Sequence, residues 1–234
     1  MTTTRTRIEL AGLTTYIVAP AGTPTLTCVL LHGFGAPGDD LVPLAGALDR
    51  SVRYVFPEAP LVLGGMYGNA RAWWLLDLAQ LEDDQRRGVA RDRGREVPDG
   101  LLAARAQLLA MLAALEAREA IAPNRIVIGG FSQGAMLSLD VALHREVAPA
   151  GLLLMSGTLI AEALWQPRMA SLAGVPVMMS HGRHDPLLPF AAAEGLRDQL
   201  TAGGAVVDWQ PFAGGHEIPT VVVAAATKLL RRVA

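Results

Sequence analysis

Residues 126–136 read IVIGGFSQGAM. An apolar run ends in two glycines, and Ser132 then stands between Phe131 and Gln133 with Gly130 and Gly134 two places to either side. This G-x-S-x-G follows the strand-like RIVI and precedes the helix-like AMLSLDVALH. A serine on a strand-to-helix turn of this kind has a strained backbone, and its neighbours must lack bulk for the turn to close. The turn pushes the hydroxyl outward. It also aims the N–H of Gln133 at the place where an oxyanion would form, with the helix N-terminus adding favourable potential. Ser132 is therefore the candidate nucleophile.

Around this turn, short β-rich runs alternate with longer Ala/Leu-rich stretches, the pattern of βαβ units on a mostly parallel sheet. RIELAGLTTYIVAP reads as an opening pair of strands. LTCVLLHG, VRYVFPEAP, RIVIGG, GLLLMSG, PVMMSHG and AVVDWQPF read as further strands, most of them apolar without alternation and so covered on both faces. Residues 99–121 are the clearest helix: Asp99 can cap it, leucines recur at 101, 108, 112 and 115, and Pro123 ends it. Pro219 to Val233 reads as a terminal helix with KLLRR at its C-terminal end. The stretch 82–100, EDDQRRGVARDRGREVPDG, is charged and punctuated by glycine, and reads as a solvated excursion over the sheet. The fold class is α/β, and residues 1–234 are expected to form one domain.

Composition excludes several classes. With 20 Lys+Arg against 22 Asp+Glu, nothing favours a phosphate backbone or an anionic membrane surface. Nucleic acid is not an expected partner. A single cysteine, Cys28, lies in the apolar run LTCVLL and reads as a small buried hydrophobe in a reducing compartment. No run reaches the length of a membrane span without polar interruption, so a soluble, cytoplasmic protein is expected.

A serine hydroxyl is a weak nucleophile near neutral pH and needs a base, and the base needs an orienting acid. In α/β-hydrolases the chain order is serine, acid, histidine. MMSHGRHDPLLP leaves a strand and carries Asp185 at its C-terminal mouth, and PFAGGHEIP leaves the last strand and carries His216. Both loops open where ligand sites of open α/β sheets lie, beyond the carboxyl ends of the strands. His32 precedes the serine, His144 ends the helix after it, and His181 and His184 flank the acid, which leaves His216 as the base. Asp140 and Asp208 fall inside a helix and a strand and read as structural or solvent-facing. HGRHD could hold a metal, but no further ligand pair with metal-site spacing supports one, so neither metal nor cofactor is expected. The second oxyanion donor should come from LHGFGAPGDD, where Gly33 and Gly35 let the backbone approach an anion; the Phe34 N–H is the candidate, above a structural His32.

LLHGFG, PEAP, RAWW, GGFSQGAM, HGRHDPLLP and GGHEIP, in that order from about residue 28 to the C-terminus, resemble the phospholipase/carboxylesterase branch of the α/β-hydrolases, which includes the acyl-protein thioesterases. The resemblance implies Ser132, Asp185 and His216 as triad and Phe34 and Gln133 as oxyanion donors. It also implies Trp73 as the tryptophan of a substrate-facing loop and Leu187 as a residue bordering the acyl site. The stretch 82–100 and LVLGGMYGNA look more like the bacterial carboxylesterases of the family than the eukaryotic thioesterases. Met66, Tyr67, Trp73, Trp74 and the PLLPF turn could line an apolar pocket or be ordinary core. The expected substrate is a carboxylic ester or thioester with a short to medium acyl chain, cleaved through an acyl-enzyme. Lactone opening, perhydrolysis, or a non-catalytic binding protein on the same scaffold are the other readings.

Overall fold

The structure, a computed structural model, describes residues 3–64, 68–89 and 91–234. Strands β1 (Thr3–Leu10) and β2 (Leu13–Pro20) form an antiparallel hairpin. Its two turn residues, Ala11 and Gly12, both have positive φ, the conformation that matches the twist of paired strands. There follow β3 (Thr27–Leu31), the short α1 (Leu44–Ala47), β4 (Arg53–Pro57), and a ribbon of β5 (Leu61–Val62) with β6 (Arg71–Ala72). Next come α2 (Leu78–Arg86), α3 (Leu101–Glu119), β7 (Ile126–Phe131), α4 (Gln133–His144) and β8 (Gly151–Met155). The chain ends with α5 (Glu162–Trp165), β9 (Pro176–Gly182), α6 (Phe190–Ala202), β10 (Val206–Phe212) and α7 (Thr220–Val233).

Eight strands join in the order β1-β2-β4-β3-β7-β8-β9-β10, antiparallel at the β1/β2 and β2/β4 pairings and parallel from β4 to β10. The strand runs that lack polar alternation are buried on both faces, as expected. Successive residues divide between two apolar layers. Val29, Leu31, Ile128, Leu152 and Val177 face the layer under α3, α4 and α6, whereas Cys28, Leu30, Val127, Leu153 and Met178 face the layer under α7. On α3, Leu101, Ala104, Leu108, Met111, Leu112 and Leu115 form the buried stripe. Each fully buried Leu or Met of this kind contributes about 1.5–3 kcal/mol relative to exposure.

Two boundaries differ from the sequence reading. Asp99 does not cap α3: Gly100 holds the cap position with φ 92°, and no side chain bonds the helix N-terminus. That left-handed backbone suits glycine, and a Cβ at Gly100 would lie 3.2 Å from the Cβ of Trp74. The helix stops at Glu119, before Pro123, because Ala120 turns into the left-handed region with φ 51°.

Strand order fixes where the site lies. From β3 the chain moves outward to β4, and from β7 it moves the other way to β8. The loops after these neighbouring parallel strands therefore diverge, leaving a crevice at their carboxyl ends. Residues 32–36 and Ser132 border that crevice.

Candidate active site

Ser132 sits between β7 and α4 with φ 55° and ψ −120°. A non-glycine residue there stores roughly 1–3 kcal/mol of strain, which the surrounding structure must hold. Ser132 N–H donates to Met155 O at 2.8 Å, and its carbonyl accepts from Ala135 at 2.9 Å and Met136 at 3.1 Å. The flanking glycines are explained by contact. A Cβ at Gly130 would lie 2.7 Å from the Gly134 carbonyl carbon, and one at either glycine would collide with the Leu31 carbonyl. The turn thus packs directly on the end of β3.

Asp185 and His216 come together from separate loops. After β9, the Arg183 and His184 amides donate to Phe212 O and Gly214 O, both at 2.9 Å, which pulls the loop after β10 alongside. His216 Nδ1 then lies 2.6 Å from Asp185 Oδ2. A carboxylate only accepts, so Nδ1 carries the proton and Nε2 is left as the acceptor nitrogen of the neutral ring. Phe131 packs against the His216 ring with centroids 4.7 Å apart. Asp185 Oδ1 accepts from the Leu187 and Leu188 amides at 2.8 and 3.0 Å. Burial alone pushes the Asp185 carboxyl up. The hydrogen bond and charge of His216, followed by the two amides, outweigh it and hold the group below the ordinary carboxylate range.

On the other side of the turn, His32 is buried beneath the loop after β3, as the sequence suggested. Its Nε2 accepts from Ala59 N–H at 3.0 Å, so Nδ1 is the donor to Gly33 O at 2.8 Å. Burial pushes its pKa down, in keeping with a neutral structural ring. Gly35, with φ 79°, donates to Arg71 O at 2.9 Å and ties the loop to β6. Neither the Phe34 amide nor the Gln133 amide has an acceptor among the described residues. The latter is the first residue of α4, where no intrahelical partner exists.

Ser132, His216, Phe34, Gln133 and Leu187 all line one cavity of about 580 Å³. Met66 and Tyr67 lie outside the described residues. Trp73 does not line the cavity: it is buried, and its indole N–H donates to His32 O at 3.0 Å. Trp74 takes the lining position. The Gln133 side chain holds this pair, accepting from Trp73 N–H and donating to Trp74 O, each at 2.9 Å. That role was invisible in the sequence, where the partners stand 60 and 59 positions away.

The charged stretch 82–100 is mostly exposed, as its sequence suggested, but it also reaches the site. Arg93, Glu96, Val97, Pro98 and Asp99 form one wall of the cavity. Two backbone bonds dock this strap: Ala161 N–H to Glu96 O at 2.8 Å and Glu162 N–H to Gly94 O at 2.9 Å. Beneath it, Asp84 is only 4% exposed and accepts a two-pronged bond from Arg91 at 2.8 and 2.9 Å. Elsewhere, Asp140 is structural as expected, buried against Arg105 at 2.6 and 2.8 Å and the Trp165 indole at 2.7 Å. No described helix is long and apolar enough to cross a membrane.

Comparison with known proteins accords with this architecture. A sequence model of the phospholipase/carboxylesterase family matches residues 14–234. Acyl-protein thioesterase 1 of Schizosaccharomyces pombe is 28% identical over 187 residues, covering 76% of this chain and 77% of the relative. Acyl-protein thioesterase 1 of Gibberella zeae is 28% identical over 211 residues, covering 86% and 87%. Among solved structures, esterase PE8 matches with a TM-score of 0.79 at 27% identity over 100% of both chains. A carboxylesterase from Mesorhizobium loti shares the fold, with a TM-score of 0.78 at 19% identity over 97% and 98% of the two chains. The fold is that of the α/β-hydrolases, and the chain belongs to the phospholipase/carboxylesterase family, as a hydrolase of ester or thioester bonds.

Proposed function

We propose that Ser132, His216 and Asp185 are the catalytic set of a serine carboxylesterase acting on short to medium acyl esters or thioesters. In the reaction, His216 Nε2 takes the Ser132 proton as the hydroxyl oxygen attacks the acyl carbonyl. Asp185 holds the imidazole in the tautomer that leaves Nε2 free to accept, and it offsets the positive charge that develops. The Phe34 and Gln133 amides donate to the oxyanion, and His216 returns the proton to the departing alkoxide or thiolate. Water, deprotonated by the same imidazole, then releases the acid from Ser132. No cofactor or metal takes part. The observation that carries this reading is the 2.6 Å bond between His216 Nδ1 and Asp185 Oδ2, with His216 lining the same cavity as a strained Ser132.

The apolar lining at Trp74, Leu75, Met136 and Leu187 suits an acyl chain or an uncharged alcohol. We take residues 1–234 as one domain, because the eight strands share a single sheet. The reading includes a cytoplasmic setting, supported by a lone buried cysteine, Cys28, with no second cysteine in the sequence to pair with. The test is Ser132→Ala: both hydrolysis of a chromogenic butyrate ester and covalent capture by a fluorophosphonate should disappear. Retention of either refutes the assignment.

A further inference from the structure

His181, on β9, takes no part in the steps above, yet it is fully buried beside them. Its Nε2 lies 3.1 Å from Leu188 O and 3.4 Å from Asp185 Oδ2. Both neighbours are acceptors, so the proton of the neutral ring is on Nε2, which donates to the Leu188 carbonyl and lies near the carboxylate without a hydrogen bond to it. Nδ1, correspondingly without a proton, makes no well-formed hydrogen bond, and the Gly157 backbone lies beside the ring. An unpaired nitrogen in a dry site carries a desolvation cost that an apolar side chain of similar shape would avoid. The imidazole therefore has its use at Nε2.

We propose that His181 is a positioning residue for Asp185, and that it locks the carboxylate to the cavity wall. The inference rests on the reading of Ser132, His216 and Asp185 as the catalytic set. Leu188 is the hinge of the arrangement: its N–H donates to Asp185 Oδ1 at 3.0 Å while its carbonyl accepts from His181, and the same residue lines the cavity. Leu187 N–H on Oδ1 and His216 Nδ1–H on Oδ2 are the other donors to the carboxylate, and His181 acts on it through the Leu188 turn that it fixes. Rotation of that carboxylate would break the bond that orients His216. A neutral donor holds the Leu188 turn without adding a cation to compete with the imidazolium formed during turnover.

The experiment compares His181→Gln with His181→Asn. Both keep an amide N–H, but only glutamine reaches the place of Nε2. Each variant is titrated with a fluorophosphonate to count competent sites, and kcat and KM for a butyrate ester are expressed per titrated site, so that partly folded protein drops out. His181→Gln should stay within about threefold of the parent, while His181→Asn should lose roughly 10–100-fold in kcat, the scale of a small misplacement, with KM moving less than about threefold. The bonded His216 Nδ1 proton should give a low-field NMR signal in the parent and in His181→Gln, and lose it in His181→Asn. Equal kcat per site for the two variants, or asparagine above glutamine, overturns the proposal. Failure of the parent itself to react with the fluorophosphonate sinks the catalytic reading instead.

Discussion

Gln133 and Trp73 are joined by a buried bond that fixes the cavity wall to the turn at Ser132: the Gln133 side-chain carbonyl accepts from Trp73 N–H at 2.9 Å, and its amide donates to Trp74 O at the same distance. One residue thus offers its backbone N–H to the crevice and its side chain to the wall. Gln133→Ala leaves both groups of the tryptophan segment without partners in a dry site. It is expected to cost about 1–3 kcal/mol of stability in urea unfolding, and to lower kcat/KM for a butyrate ester. Gln133→Glu keeps the acceptor but loses the donor to Trp74 O, and should fall between the parent and the alanine variant.

Asp185 gives the pH dependence a definite sign. Its folded pKa lies below the ordinary value of about 3.9. The stability it contributes is therefore fully present above that ordinary value and is lost as pH falls through the depressed folded one. The gap in unfolding free energy between the parent and Asp185→Asn should be wide at pH 7 and should narrow in acid below about pH 4. A gap independent of pH would contradict this account.

The ionic anchor of the strap can be tested apart from the chemistry. Asp84→Asn removes the charge and one of the two acceptors of Arg91, and loosens the stretch whose Arg93, Glu96, Val97, Pro98 and Asp99 line the cavity. KM for an ester that fills the cavity should rise several-fold, with little change in the rate at which a small fluorophosphonate captures Ser132. A parallel fall in both would place the effect at the turn itself.

Ala120 offers a stabilising substitution. It ends α3 at φ 51°, where a Cβ is disfavoured. Ala120→Gly removes that strain at the cost of some unfolded-state entropy, and should raise stability by up to about 1 kcal/mol in urea unfolding, with unchanged esterase activity. A drop in stability would show that the left-handed cap is relaxed.

What could be read from the sequence was local. Gly130, Ser132 and Gly134 announce their turn because the steric demand that requires them acts between residues close along the chain and the end of one strand. Asp185 and His216 could be chosen from several candidates because strand order dictates which loops reach the same edge. The relationships that escaped join distant segments. Nothing near Trp73 and Trp74 tells which indole lines the cavity, since that depends on contacts with His32 and Gln133. The strap is as solvated as its charge suggested, but its place in the cavity wall was not legible, because that depends on contacts with residues 161 and 162 far along the chain.

That manner of attachment has an evolutionary side. The strap is braced internally by the Asp84–Arg91 pair and held to the body by two main-chain bonds and the Arg95–Glu162 contact, so it can lengthen, shorten or change composition while the strands and the serine turn stay as they are. Descendants of this scaffold could therefore be retailored toward new acyl or alcohol groups by recutting a single surface segment, and grafting the corresponding stretch from a relative is a direct route to altered selectivity.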